Sequence, residues 1–175
     1  MSNSKILLLF ILVVCFFVAC EKTPVYDKAT QLKIDDDIIA KYLKDNNLTF
    51  TKTAQGLYYQ IINQNDTGTK IIALSDSLRI HYVERLLLNQ RFLDSTISNV
   101  DTTLFQLKDA IQGWELGIPL IRAGGRIRLI VPSPLAYQNR QIDSLLIPNS
   151  ILDFDIRLIS AIDSTQFKPI KKPTN

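Results

Sequence analysis

Regular alternation of apolar and polar residues is the clearest pattern in this chain, and it predicts antiparallel strands. Residues 151–159 place apolar side chains on one face and charged side chains on the other. Residues 78–87 and 126–131 alternate in the same way, and residues 57–62 and 104–107 are shorter runs with a β-prone composition. A strand with one apolar and one polar face is typical of an antiparallel sheet that covers a core on one side.

Helical spacing of apolar residues occurs in two other stretches. The first carries Ile111, Trp114, Ile118 and Ile121, and the following Gly124-Gly125 is predicted to end that helix. The second, residues 31–47, has acidic residues in its early turns and lysines later, an order that suits the helix dipole. This N-terminal helix is expected to pack either on the domain or on a partner.

Together these elements predict one α+β domain over residues 50–162. Its expected architecture is a curved antiparallel sheet, or half-barrel, wrapped on the short helix that carries Trp114. The tryptophan would then lie at the floor of an apolar hollow on the concave side of the sheet. Residues 20–30 are polar and lack periodicity, so they are predicted to be a tether, and residues 163–175 are predicted to be a disordered tail.

The first 19 residues are interpreted as a targeting segment. Lys5 precedes an apolar run of 13 residues, which is short for a membrane-spanning helix of ~20 residues but typical of a signal peptide. Ala19 followed by Cys20 and Glu21 resembles a bacterial lipobox. This predicts a lipoprotein signal peptide over 1–19, lipidation and bilayer attachment at Cys20, and a location in the cell envelope at the outer membrane. An ordinary secretory signal or an uncleaved anchor is the alternative.

Composition excludes several classes of chemistry. The chain of 175 residues has a net charge of +3, which is too small and too dispersed to predict nucleic-acid binding. Its two cysteines are Cys15 and Cys20, so the mature domain has none that could form a disulfide, a thiol nucleophile or a cysteine metal site. The single histidine, His81, rules out a multi-histidine metal site. We therefore expect neither a cofactor nor a metal.

Short motifs follow one another in a distinctive order between residues 56 and 160. They are His81-Tyr82, Leu93-Asp94-Ser95, Phe105, Ile111-Gln112-Gly113-Trp114-Glu115, Leu135-Ala136-Tyr137, Ile147-Pro148 and Phe154-Asp155. Their order and spacing resemble those of the FKBP-type peptidyl-prolyl isomerases. With the lipobox and the helix after it, the chain resembles FKBP-type lipoproteins of Bacteroidetes-like bacteria, including those associated with gliding motility.

The resemblance implies a pocket for proline between the sheet and the helix, and isomerisation of Xaa-Pro bonds in secreted or envelope proteins. The residues that match the family's catalytic side chains are Tyr82, Asp94, Trp114, Tyr137 and Phe154. Those that match its substrate contacts are Leu93, Phe105, Ala110, Ile111 and Leu146. Proline-containing polypeptides are the implied clients, and macrolides are ligands of the same pocket in this family.

Three positions depart from the family pattern. Leu93 stands where phenylalanine is usual, Thr103 stands in place of another aromatic residue, and Gln138 stands in place of the glycine after Tyr137. These departures predict reduced catalytic strength and reduced macrolide affinity. They also keep open a second function, a non-catalytic FKBP-like binding or scaffold lipoprotein in a motility or secretion assembly.

Spacing alone gives several of these residues a structural interpretation. Trp114 and Tyr82 occupy positions typical of core packing, and Asp94 before Ser95 is typical of a turn or a helix cap. His81 lies on the opposite strand face from Tyr82 and is interpreted as structural.

Two aspartates of the last strand are also interpreted structurally. Asp153 and Asp155 alternate with apolar residues, so both are expected on its solvated face, where Asp155 could pair with Arg128 or another strand arginine.

Overall fold

Seven antiparallel strands and two helices make up the protein in a computed structural model that describes residues 25–65, 70–96 and 103–163. The strands are β1 (Thr51–Lys52), β2 (Tyr58–Asn63), β3 (Ser77–Leu86), β4 (Phe92–Ser95), β5 (Thr103–Gln106), β6 (Arg126–Val131) and β7 (Leu152–Ile162). The helices are α1 (Lys28–Asp45) and α2 (Gln112–Gly117), and short 3-10 turns span Leu107–Asp109, Ile118–Leu120 and Ser133–Leu135. The predicted signal peptide, Cys20 and the predicted tail after Asp163 lie outside the described residues.

The strands form a single sheet in the order β1-β2-β6-β7-β3-β4. On its other edge, β3 pairs with β5 along its first half and with β4 along its second half. The pairing register between neighbouring strands shifts at three places, and such irregularities increase the local twist of a sheet. The predicted α+β architecture, with a curved antiparallel sheet and a short helix, is confirmed.

The concave face of the sheet covers the main apolar core. Register pairs across β6 and β7 join Ile127 with Ile156 and Leu129 with Phe154, and all four side chains are buried. Removing each such side chain from water stabilises the fold by about 1.5–3 kcal/mol. The alternation seen in the sequence therefore reports which face of each strand points into this core.

Helix α2 lies directly against β6, and two glycines allow this close approach. A Cβ atom on Gly113 would collide with the side chain of Val131, and one on Gly117 would collide with the side chain of Leu129. Because neither glycine has a side chain, the helix backbone can lie on the strand. This contact fixes the position of Trp114, which lies between the two glycines.

The end of α2 corrects one prediction. The helix stops at Gly117 and passes into the 3-10 turn of Ile118–Leu120, whose Pro119 has no N–H for a helical hydrogen bond. Gly124-Gly125 does not end the helix but lies in the turn before β6. There the Gly124 N–H donates to the Leu158 carbonyl at 2.6 Å, and the Leu158 N–H donates to the Gly125 carbonyl at 3.0 Å.

Helix α1 packs on the opposite, convex face of the sheet. It was expected to pack either on the domain or on a partner, and the structure shows it on the domain. It begins at Lys28, where the Asp27 side chain caps it, and ends at Asp45, whereas residues 31–47 were expected. Residues 28–30 thus belong to the helix and not to the tether. Its buried residues form a second apolar cluster with the sheet, made of Ile39, Leu43, Tyr58, Leu87, Ile130 and Ile151. Within the described ranges, no helix has the length and apolar character needed to cross a membrane.

A buried carboxylate ties α1 to the loop after β6. Asp35 accepts hydrogen bonds from the backbone N–H and the hydroxyl of Ser133, both at 2.7 Å. Its other oxygen accepts from the Gln31 amide at 2.7 Å. Ser133 begins the 3-10 turn that leads to Tyr137, so this bond fixes the base of that loop.

The charged residues of β7 differ from expectation at one position. Asp153 is only 1% exposed, and both its oxygens accept from Arg128, at 2.9 and 2.6 Å. Asp155 is half-buried and pairs with Arg126 at 2.8 and 2.6 Å. The prediction of a solvated Asp153 is wrong because Arg128 and Gln90 both donate to its carboxylate, and Tyr42 of α1 and Phe50 in turn contact Arg128.

Candidate active site

The indole of Trp114 is the centre of an aromatic cluster on the concave side of the sheet. The rings of Phe154, Tyr82 and Phe105 lie with centroids 5.2, 5.3 and 5.6 Å from it. Phe154 and Tyr82 meet the indole edge-on, at interplanar angles of 79° and 72°, which is a favoured aromatic geometry. The indole N–H is buried and donates a hydrogen bond to none of the described residues. Packing of three strand residues therefore orients this ring.

A cavity of about 570 Å³ opens above the cluster, between the sheet, α2 and the loop after β6. Most of the residues predicted for the site come together here. Those that line the cavity are Tyr82, Phe105, Ala110, Ile111, Trp114, Tyr137 and Phe154. They come from separate parts of the chain, so only the folded protein assembles the site.

Three of the predicted residues do not line the cavity. Leu146 is buried in the main core, because the Asp143 carboxylate accepts from the N–H groups of Leu145 and Leu146 and turns that loop inward. Leu93 also packs against the core. The register between β3 and β4 shifts at this point, so Asp94 pairs with Glu84 and Phe92 with Arg85, and Leu93 has no direct partner on β3. Leu93 and Leu146 therefore do not line the cavity in this structure, and a substrate contact at either residue stays a prediction.

Asp94 lies exposed at the edge of the site and acts through Tyr82. The Tyr82 hydroxyl donates to one Asp94 oxygen, and the Ser95 N–H donates to the other at 2.8 Å. Burial, and then this hydrogen bond and the charge of Asp94, raise the pKa of Tyr82. The Tyr82 hydroxyl is thus protonated and already engaged, so Tyr82 offers a ligand mainly its ring.

Tyr137 provides the hydroxyl that is left for a ligand. No described residue accepts a hydrogen bond from it, and burial followed by the nearby charge of Glu84 raises its pKa. The Gln138 N–H donates to the Ser133 carbonyl at 2.8 Å and holds the loop. A protonated Tyr137 hydroxyl beside the cavity can donate to a carbonyl oxygen.

The departure at Gln138 has a visible consequence in the backbone. Gln138 has a φ of +60°, in the left-handed region that favours glycine and that other residues occupy uncommonly. It also lines the cavity next to Tyr137. The family pattern has glycine at this position, and the backbone conformation of Gln138 is one that glycine adopts readily. The side chain of Thr103, a further position that departs from the family pattern, lies outside what the structure describes.

Glu84 is a cavity residue that the sequence reasoning missed. It lies on β3 two residues after Tyr82 and is 9% exposed. Burial, and then the charges of Asp94 and Asp143, raise its pKa to about 7. The alternation of Leu78, Ile80 and Tyr82 continues to position 84 and would have placed it on the same face.

No metal site accompanies the cavity. Across residues 25–65, 70–96 and 103–163, no three histidine, cysteine, aspartate or glutamate side chains gather as a set that could hold a metal ion. The described residues offer the cavity aromatic rings, the Tyr137 hydroxyl and the Glu84 carboxylate.

The family of this chain follows from comparison with known proteins. Residues 68–159, more than half of the chain, match the family model described as FKBP-type peptidyl-prolyl cis-trans isomerase. FK506-binding protein 1 of Saccharomyces cerevisiae is 38% identical over 96 residues, which are 53% of this chain and 82% of that protein. The chain belongs to the FKBP-type peptidyl-prolyl cis-trans isomerase family. Its cavity thus lies in the FKBP-like domain of the chain.

Longer bacterial members of the family cover more of this chain. The probable isomerase FkpA of Neisseria meningitidis is 32% identical over 155 residues, 89% of this chain and 54% of that protein. The crystal structure of FkpA from Escherichia coli aligns with a TM-score of 0.64 at 23% identity, over 94% of this chain and 75% of that chain, which shows the shared fold. The chain spans about half the length of three bacterial relatives of this kind, between 42% and 57%.

Proposed function

We propose that this FKBP-family protein catalyses cis–trans isomerisation of Xaa-Pro bonds in polypeptide clients, and that the cavity around Trp114 is its active site. The observation that carries the proposal is the convergence of three aromatic rings on Trp114 below a cavity of about 570 Å³. Pockets of roughly 300–1,000 Å³ accommodate small ligands, so a proline and its flanking peptide groups fit this space. Proteins of this family bind proline-containing substrates and, in general, macrolide ligands.

The reaction needs no nucleophile and no acid–base pair. The barrier to rotation about an Xaa-Pro bond is about 20 kcal/mol and arises from the resonance of the planar amide. The twisted amide has lost that resonance and is less polar, so an apolar cleft stabilises it relative to the planar ground state. Each ~1.4 kcal/mol of such preferential stabilisation accelerates the reaction tenfold.

Each residue of the site has a separate role in the proposed isomerisation. Trp114 seats the prolyl ring, and the rings of Tyr82, Phe105 and Phe154 surround the amide and exclude water. The Tyr137 hydroxyl donates to a client carbonyl and holds the segment in place. Asp94 accepts a hydrogen bond from the Tyr82 hydroxyl and keeps the Tyr82 ring oriented.

Activity is tested by isomerisation of short proline peptides, measured with a coupled protease on the full chain in detergent. We expect acceleration above the spontaneous rate, a large loss in Trp114→Ala and a smaller loss in Tyr137→Phe. Tyr59→Phe is the matched control, because Tyr59 is a half-buried tyrosine that does not line the cavity. A folded wild-type protein that binds the peptides without accelerating them would instead be the non-catalytic binding lipoprotein. Spontaneous rates with every peptide, without binding, exclude both functions.

We also propose that the protein is a lipoprotein of the cell envelope, at the outer membrane, with secreted and envelope proteins as its clients. The support is the lipobox-like run that ends in Ala19-Cys20 and the resemblance to FKBP-type lipoproteins of Bacteroidetes-like bacteria. Metabolic labelling with a fatty acid tests the anchor. Cys20→Ser should lose the label, whereas a Cys20→Ser protein that retains it would contradict lipidation at this residue.

A macrolide is a further ligand to test at the same cavity. The departures at Leu93 and Gln138 lead us to expect weak binding, since Gln138 places a side chain on the cavity wall where the family pattern has glycine. Quenching of the fluorescence of Trp114, the single tryptophan of the chain, measures such binding directly. Tight binding would show that the departures leave the pocket intact.

A further inference from the structure

Glu84 occupies a position on the wall of the cavity where the fold itself supplies no partner for it. In the sheet, Glu84 pairs directly with Asp94 of β4 on one side and with Phe154 of β7 on the other. Residues paired in this way point to the same face. The carboxylate therefore shares the concave face with the ring of Phe154, which contacts Trp114 at 5.2 Å.

The carboxylate is about nine-tenths buried and yet unsatisfied. Glu84 is 9% exposed, and its buried Oε1 accepts no hydrogen bond from any described residue. Burial of a polar group without a hydrogen bond destabilises a fold. Glu84 also forms no salt bridge within the described part of the chain, although Arg140 lines the same cavity. The Nε of Arg140 instead donates to the Tyr137 carbonyl at 3.2 Å.

The neighbours of Glu84 increase this electrostatic cost. Asp94 lies directly opposite it on β4, and like charges in that arrangement repel. Asp143, in the loop before β7, adds a further negative charge. Elsewhere the same chain satisfies its buried acids: Asp35 is hydrogen-bonded on both oxygens, and Asp153 pairs with Arg128. An exception at the cavity wall therefore points to a ligand that supplies the missing partner.

A cationic side chain is the partner that this environment favours. A lysine or arginine would donate a charge-assisted hydrogen bond to the free Oε1, and such bonds are stronger than neutral ones. Aromatic faces such as those around Trp114 also attract cations. A metal ion would need further ligands, and the described residues offer no such set.

Resting on the proposed function, we propose that Glu84 is a specificity-determining residue that selects client segments with a lysine or arginine beside the proline. Neighbouring Cα atoms of a client lie roughly 3.8 Å apart. A side chain next to a prolyl ring seated on Trp114 therefore starts within reach of the wall formed by Phe154 and Glu84. The aromatic cluster and Tyr137 carry no formal charge, so we expect them to select a cation less strongly than the carboxylate of Glu84 does.

The same assignment makes the selection depend on pH. The pKa of Glu84, raised to about 7, makes it neutral at pH 6 and charged at pH 8. The charged and titratable groups around it are Tyr82 on β3, Asp94 on β4, and Tyr137, Arg140 and Asp143 on the loop before β7. The 3-10 turn after β5 contributes Asp109 to the same cavity, and β7 contributes the uncharged Phe154. The pKa values of Tyr82 and Tyr137 are raised and that of Asp143 is lowered, so between pH 6 and pH 8 the two tyrosines stay neutral and Asp143 stays charged.

The test compares peptides that differ only in the residue before proline: lysine, its neutral analogue norleucine, or glutamate. Protease-free NMR exchange on the full chain in detergent gives kcat/KM for each at pH 8 and pH 6. At pH 8 we expect the lysine peptide to exceed the norleucine peptide by about threefold to tenfold. Glu84→Gln should bring this ratio to about one, and lowering the pH to 6 should reduce it in the wild type alone.

Glu115→Gln is the matched control, because Glu115 is next to Trp114 in sequence but does not line the cavity. It should keep the wild-type ratio at both pH values. A wild type that isomerises norleucine peptides without any lysine advantage overturns the assignment and leaves the isomerase function standing. A higher kcat/KM for the lysine peptide that persists in Glu84→Gln also overturns the assignment of Glu84.

If no peptide is isomerised, the same ratio is read from dissociation constants obtained by Trp114 fluorescence. A lysine advantage in binding that Glu84→Gln removes would then retain the specificity assignment and refute catalysis. Equal dissociation constants for the lysine and norleucine peptides, or no detectable binding, would overturn the specificity assignment along with the catalytic one.

Discussion

Acidic residues on the two faces of the sheet differ in whether they are paired with a cation. On the convex face, two aspartates of β7 each meet an arginine of β6, Asp153 with Arg128 and Asp155 with Arg126. On the concave face, Glu84 of β3 faces Asp94 of β4 with no cation paired to either among the described residues. The convex charges hold the strands and α1 together, whereas the concave charges leave bonding capacity for a ligand.

The largest expected effect comes from breaking the buried pair of the convex face. Asp153→Ala leaves the half-buried Arg128 without its partner, and such a loss costs about 3 kcal/mol of the free energy of unfolding. Urea unfolding measures it. Asp155→Ala is the matched control and should cost less than about 1 kcal/mol, because the Arg126 pair is more exposed. Equal losses in both variants would contradict the distinction between the two pairs.

On the concave face, the corresponding change is Trp114→Leu. We expect kcat/KM for proline peptides to fall about thirtyfold, because the edge-on contacts with Tyr82 and Phe154 and the seat for the prolyl ring are both lost. Isomerisation kinetics check this against Tyr59→Phe as the unaffected reference. Full activity in a folded Trp114→Leu protein would mean that catalysis lies elsewhere.

Removing the unpaired charge should stabilise the protein at neutral and higher pH. The pKa of Glu84 is raised to about 7 in the folded state, above the usual glutamate value, so the folded protein holds this proton more tightly than the unfolded chain. The stability that protonated Glu84 contributes is present at low pH and is lost as the pH rises towards 7. Glu84→Gln should therefore exceed the wild type at pH 8 by on the order of 1–2 kcal/mol and match it near pH 4.5.

Urea unfolding at several pH values measures this difference. Two stability curves that run parallel from pH 4.5 to 8 would show that Glu84 is not buried against like charges in solution.

The smallest expected effect concerns the loop beside the cavity. Gln138 has a φ of +60°, so Gln138→Gly relieves a left-handed conformation that costs other residues about 1 kcal/mol. Part of this gain is offset by the greater freedom of glycine in the unfolded chain. Thermal unfolding should show a gain of up to about 1 kcal/mol, and a loss would indicate that the Gln138 side chain holds the loop.

Much of the fold could be predicted because alternation directly reports one-sided burial. The strands β3, β6 and β7 were expected from that pattern, and Trp114 was expected on the concave side from helical spacing together with the order of motifs. Glu84 could have been predicted too, since it follows Tyr82 by two residues on the same strand. It was missed because no motif marks it.

Other features depend on contacts that no local pattern encodes. The burial of Asp153 follows from the docking of α1 on the convex face, and Leu146 enters the core because the Asp143 carboxylate turns its loop. Helix α2 ends before Gly124 because of Pro119 and its 3-10 turn. In each case a longer-range or competing interaction outweighs the local signal.

The most direct test of the concave site is two-dimensional exchange NMR on a proline peptide with the full chain in detergent. Spontaneous isomerisation takes tens of seconds or more, so the peptide alone gives no exchange peaks at mixing times below one second. The wild-type protein is predicted to produce peaks that join the cis and trans signals, and Trp114→Ala to abolish them. A folded wild type without such peaks, or a Trp114→Ala protein with undiminished peaks, would contradict the assignment of this cavity as a prolyl isomerase site.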